Sequence, residues 1–122
     1  VIITLPLPAQ QLKPNVRCHY MAKAKHVATY RLAAKEAGMI AAYDYDLREP
    51  IEKPIVTVAA YWPTARRMDA DNLLATMKAA FDGLTDAGIW TDDRECTFLP
   101  CHQCKDAANP RIEIQVEKRE KT

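Results

Sequence analysis

No apolar run in these 122 residues approaches the ~20 that a membrane-spanning helix requires, which excludes a protein built on membrane helices. The chain opens on Val1 and ITLPLP, without a charged leader or a small-residue cleavage site, so no secretory signal is expected and the cytoplasm is the expected location. Internal repeats and low-complexity linkers are also missing, which leaves one domain, large enough for a single core and small enough for a partner subunit to share in its active surface. Cys96, Cys101 and Cys104 form C-x4-C-H-x-C with His102, but the usual second C-x-x-C pair is absent. Structural zinc would need Cys18 or His102 as its fourth ligand. Reduced thiols are the expectation, with a zinc-stabilised interaction module as an alternative.

The scarcest feature locally is charge of one sign. From Lys13 to Lys35 there is no acid, while Lys13, Arg17, Lys23, Lys25, Arg31 and Lys35 accumulate beside His19 and His26. From Asp69 to Glu95 the balance reverses, with Asp69, Asp71, Asp82, Asp86, Asp92, Asp93 and Glu95 against Lys78 and Arg94. A net charge of +1 is what a basic docking surface and an acidic site would sum to. A solvated helix face explains the basic segment equally well from charge alone.

Periodicity assigns the elements. Ile2 to Leu7 reads as a short strand. Met21 to Ala42 reads as a helix, with Val27, Tyr30, Ala34, Ala37 and Ile40 on its apolar face. Tyr43 to Pro54 is a loop and Ile55 to Trp62 a strand stopped by Pro63. A second helix begins near Asp71 or Asn72, either of which could cap it, and buries Leu73, Met77, Ala80, Phe81 and Leu84. Gly88 supplies its left-handed end, and Ile89 and Trp90 return to the core. Cys96 to Leu99 is a short strand; Arg111 to Glu117 is a clear one, with Ile112, Ile114 and Val116 on one face, implying a sheet exposed on the other. The fold class is α+β: a small mixed sheet with two main helices packed on it.

The acids carry the chemistry. Asp69 and Asp71 precede the second helix and Asp92 and Asp93 follow it, so loops on a rigid element present hard oxygen ligands of the kind Mg²⁺ or Mn²⁺ prefers. Such an ion polarises a phosphodiester and lowers the pKa of its water. Lys78 lies about two helical turns after Asp71, on a similar face, where its ammonium could neutralise phosphate charge. The competing reading makes Asp71 a helix cap, Asp69 a turn residue and the later pair solvated loop residues.

DADNLLATMKAAFDGLTDAGIWTDD, with its D-x-D-N, its K-A-x-x-D-x-L and a glycine followed by D-D, resembles the hallmark of the RusA family of Holliday junction resolvases. The likeness extends to ITLPLP, to Pro14-Asn15 with the basic loop and helix, and to the strand before Arg66 and Arg67. Residues 1–122 are thus identified as one RusA-like endonuclease domain. The resemblance implies a homodimeric, Mg²⁺-dependent endonuclease, often encoded by phages, which binds four-way DNA junctions and cuts two symmetric strands in recombination and repair. Mn²⁺ may substitute for Mg²⁺ in such a site. By that resemblance Asp69, Asp71 and Asp93 match the metal-binding catalytic aspartates, Lys78 the active-site lysine, and Asp92 a neighbouring ligand. The spacing from Asp71 to Lys78 exceeds the family's pattern by about one turn, roughly three residues. With a DNA substrate in view, Asn15, Arg17, His19, Lys23, Lys25, Arg66 and Arg67 are the expected phosphate contacts. A non-catalytic protein that binds branched DNA is the other alternative.

Overall fold

The computed structural model describes residues 1–119; the last three residues of the expected domain, 120–122, lie outside the described residues. Among the described residues, five strands form one mixed sheet. In chain order the elements are β1 (Ile2–Leu5), α1 (Tyr20–Asp44), β2 (Pro54–Trp62), α2 (Ala70–Thr76), α3 (Lys78–Asp86), β3 (Thr97–Phe98), β4 (His102–Lys105) and β5 (Arg111–Lys118). Short 3-10 turns occupy Gln10–Leu12 and Asp93–Glu95.

The sheet grows from β5, which pairs antiparallel with β1 on one side and with β2 on the other. At nine residues, β2 is long enough to take two parallel partners on its far edge. Ile55 and Val56 face β3, and Ala59 to Trp62 face β4. Alternation does the rest. Ile3 and Leu5, Val56, Val58 and Ala60, and Ile112, Ile114 and Val116 all point to the helical face and are buried. Glu113 and Gln115 turn the other way, over the uncovered face with Thr57 and Tyr61.

Among the described residues, three helices stand where two main ones were expected, because the second expected helix breaks at Met77 into α2 and α3. Thr76 Oγ1 donates to the Asn72 carbonyl at 2.7 Å, a back-bond that bends helices. The Met77 N–H is then shared between the Leu73 and Leu74 carbonyls, at 3.1 and 3.2 Å. The expected stripe survives the break: Leu73, Met77, Ala80, Phe81 and Leu84 are all buried. The helix also starts earlier than expected, with Asp69 rather than Asp71 or Asn72 at the N-cap.

The end of α3 follows the expected pattern. Gly88 sits at φ +79°, its N–H bonds the Thr85 carbonyl at 3.0 Å, and the Ile89 N–H reaches back to Leu84 at 3.1 Å. Ile89 and Trp90 are fully buried, and the Trp90 indole N–H donates to Thr85 Oγ1 at 2.7 Å. Helix α1 is buried along Tyr30, Ala34, Gly38 and Ala41, whereas Ile40 is 63% exposed. The buried line turns away from Ile40 because α1 meets α3 at glycines. A Cβ on Gly83 would stand 2.2 Å from the Arg31 carbonyl oxygen, and one on Gly38 2.9 Å from Ala87 Cβ. Only the side carrying Gly38 and Ala41 allows so close an approach.

Candidate active site

Strand β2 ends at Trp62 and releases an irregular segment, 63–69, that delivers Arg66, Arg67 and Asp69 to the start of α2. Across from it lies the loop after β1, so residues far apart in sequence line one groove of about 460 Å³: Lys13, Asn15, Arg66, Arg67, Asp69 and Asn72 among them. Of the expected DNA contacts, the groove therefore gathers Asn15, Arg66 and Arg67 beside a candidate metal ligand. Arg17, His19, Lys23 and Lys25 do not line it. His19 is at the N-cap of α1, where its ring nitrogen Nδ1 accepts from the Met21 N–H at 3.3 Å and its ring stacks on Tyr20. Lys23 and Lys25 follow in the opening turns of the same helix.

Asp69 holds the N-cap of α2, yet its carboxylate makes no capping hydrogen bond. Asp71 lies exposed in the first turn. Among the described residues, no ion pair engages either of them. The helix thus leaves both carboxylates available, although the N-terminal position favours negative charge there.

The second half of the constellation is neutralised internally. Lys78 opens α3, and its ammonium bonds Asp93 Oδ2 and pairs with Asp82 at 3.1 Å. The bond to Asp93 is the main reason the Lys78 pKa is raised, with Asp82 adding to it, so the ammonium stays charged well above neutrality. Asp93 itself is only 19% exposed. Asp92 is spent differently: it accepts from the Arg94 guanidinium at 2.8 Å, and further from the Arg94 backbone N–H at 2.9 Å, which brings its carboxyl down to about 2. Asp69 and Asp71 thus stand at the start of α2, and Lys78 at the start of α3. The break at Met77 falls between Asp71 and Lys78.

Residues 5–117 match the family model described as Endodeoxyribonuclease RusA. The chain belongs to the RusA endodeoxyribonuclease family. Crossover junction endodeoxyribonuclease RusA of Escherichia coli (strain K12) is 34% identical over 97 residues, 76% of this chain and 73% of that protein. A protein of Xylella fastidiosa (strain Temecula1), described only as uncharacterized, is 34% identical over 99 residues. That match spans 80% of this chain but 63% of the Xylella protein, less than two thirds of its length. The enterobacteria phage 82 crossover junction endodeoxyribonuclease is 40% identical over 52 residues, 43% of this chain and 38% of that one.

The RusA pattern of aspartates can be tested against an ion on donor chemistry. Asp69, Asp71 and Asp93 offer hard carboxylate oxygens, the set that suits Mg²⁺ or Mn²⁺, and the first two are unengaged by cations. Among the described residues, no group of three or more His, Cys, Asp or Glu is drawn together tightly enough to hold an ion. The aspartates fit the ion by type, and Lys78 stands where a cation would otherwise meet Asp93. Cys96, Cys101 and Cys104 are likewise ungathered and free; burial chiefly, then Asp93, Glu95 and Asp92, push the Cys96 thiol up to about 12. No helix among the described residues is long and apolar enough to cross a membrane.

Three participants escaped the sequence reading. Asp82 shares Lys78, Asn72 lines the groove, and Gln103 on β4 ties down the residue before Asp69. Asp82 had a signal, its i,i+4 spacing from Lys78. Gln103 had none, since β4 itself was not anticipated.

Proposed function

We propose that this chain is a Mg²⁺-dependent endodeoxyribonuclease, with Mn²⁺ able to substitute, that resolves four-way DNA junctions as a homodimer. The observation that carries the reading is the single groove in which Lys13, Asn15, Arg66 and Arg67 meet Asp69. Basic side chains beside an unpaired carboxylate would weaken each other's purpose in a protein that only bound DNA, because a carboxylate repels phosphate. In a nuclease the two belong together.

Arg66, Arg67, Lys13 and Asn15 hold phosphates at the groove and set the strand's register. Asp69, Asp71 and Asp93 would hold the ion; Asp92, already committed to Arg94, is left outside the set. The ion, when bound, polarises the scissile phosphate and makes water a competent nucleophile near neutral pH. Lys78 supplies fixed positive charge: its ammonium is poised on Asp93 and Asp82 and remains protonated while the phosphate develops negative charge. Two subunits would bring two such grooves to symmetric strands.

The test is a synthetic four-way junction incubated with the protein, with and without Mg²⁺, beside Asp71→Asn. Paired nicks that need the ion, with binding kept and cutting lost in the variant, are expected. Undiminished cutting by Asp71→Asn would sink the mechanism. Binding by the unaltered protein without any cutting in Mg²⁺ or Mn²⁺ would leave a junction-binding protein in which Lys78 permanently silences Asp93.

A further inference from the structure

The segment 63–69 between β2 and α2 contains none of the regular backbone pairing that fixes its neighbours, yet it must present Asp69 reproducibly. One side chain does the fixing. The Gln103 carboxamide oxygen accepts from the Met68 N–H at 3.0 Å, and its amide nitrogen donates to the Met68 carbonyl at 2.7 Å. The same oxygen accepts from the Trp62 indole N–H at 2.9 Å. Gln103 thus acts as a strand neighbour would, closing with its side chain both backbone hydrogen bonds of one residue. Its orientation is determined by its partners, because a flipped amide would set its NH₂ against two N–H donors.

The register of the sheet explains why this position can do so. Gln103 lies opposite Ala60 in a parallel pair, and Ala60 is fully buried under the helices. Side chains opposite each other in a ladder share a face, so Gln103 is aimed at the helical side, where the chain passes on its way into α2. Among the described residues, the other side-chain bond in this segment is local, from the Arg66 N–H to Thr64 Oγ1 at 3.3 Å.

We infer that Gln103 is a positioning residue for the acidic site: by clamping both backbone groups of Met68 it sets the place of Asp69, and through the first turn of α2 that of Asp71. This rests on the proposed metal-dependent function. Gln103 does not line the groove and acts through Asp69. A partner that orients a ligand from outside the coordination sphere typically governs metal affinity by about tenfold or more.

The test uses Mn²⁺ alone as probe, its binding to DNA-free protein followed by electron paramagnetic resonance, with thermal melting alongside. The variants are Gln103→Met, which keeps the volume and removes every bond, and Gln103→Asn, which stays polar but falls short of Met68. Trp62→Phe serves as the control that removes one bond to Gln103 and leaves its two bonds to Met68. Both Gln103 variants should weaken Mn²⁺ binding about tenfold, and their melting temperatures should move no further than that of Trp62→Phe, which itself binds Mn²⁺ as the unaltered protein does. Native Mn²⁺ affinity in the Gln103 variants would overturn the assignment. So would a loss shared equally by Trp62→Phe, because it would report general loosening. Unaltered protein that neither binds Mn²⁺ nor cuts a junction would overturn the functional reading itself, a result distinct from both.

Discussion

The two ends of the stretch from Arg66 to Asp86 are built on opposite principles. At the α3 end, Gly83 lies so close to α1 that a single methyl would strike the Arg31 carbonyl, and Phe81 and Leu84 are buried beside it. At the α2 end, Arg66, Arg67, Asp69 and Asp71 are exposed, and one glutamine side chain ties the incoming irregular segment to the sheet. Close packing concentrates stability where there is no ligand to accommodate. Unpaired charge sits where packing is thin, at a cost in repulsion that only a cation or a phosphate would relieve. The same chain segment therefore separates folding from binding along its length.

Substitution at each end should break that division differently. The largest effect is expected from Asp71→Asn, which should lower junction cutting by about a thousandfold, roughly 4 kcal/mol in the barrier, while the melting temperature holds or rises as repulsion is removed. A quantitative nicking assay beside a thermal melt separates the two. Next comes Gly83→Ala. Overpacking against backbone should cost about 2–3 kcal/mol of stability in urea unfolding, and cutting per folded molecule should persist; a lost activity at native stability would show that the α3 end serves the site directly.

Smaller effects follow at the surface. Arg66→Ala and Arg67→Ala together should weaken junction binding at every sequence tested and reduce the slope of log affinity against log salt by about 2. An unchanged slope would remove these arginines from the phosphate contacts. The least effect is expected from Asp86→Asn. Arg31 holds Asp86 through bonds of 2.6 and 2.9 Å and thereby lowers its pKa below the ordinary 3.8. Since the folded-state pKa is the depressed one, the pair contributes stability above the ordinary carboxylate range and loses it as pH falls through the lowered value. Melting temperatures measured across acid pH should fall less steeply in the variant than in the unaltered protein.

Local chemistry made some of this legible in advance. Alternation assigned the faces of β5, helical spacing identified Leu73, Met77, Ala80, Phe81 and Leu84 as core, and Gly88 marked the end of α3 because only a residue tolerant of positive φ ends a helix in this way. Ile40 was misplaced for a related reason. Spacing allows several lines along a 25-residue helix, and contact with Ala87 and Leu84 at Gly38 selected one that leaves Ile40 in solvent. The break at Met77 and the strand at His102–Lys105 had no periodic signature, since one arises from a threonine back-bond and the other is four residues paired with the edge of β2.

Sequence alone determined the family, the α+β class and the identity of the candidate acids, because hydrophobic period, residue type and an extended motif are local properties of the chain. Tertiary structure decided what those residues meet. It joined Asn15 to Arg66 and Asp69 in one groove, gave Asp93 to Lys78, and drew Gln103 against Met68. Hydrogen bonds and ion pairs act only over a few ångströms. Residues dozens of positions apart become partners only once the sheet and its helices have packed.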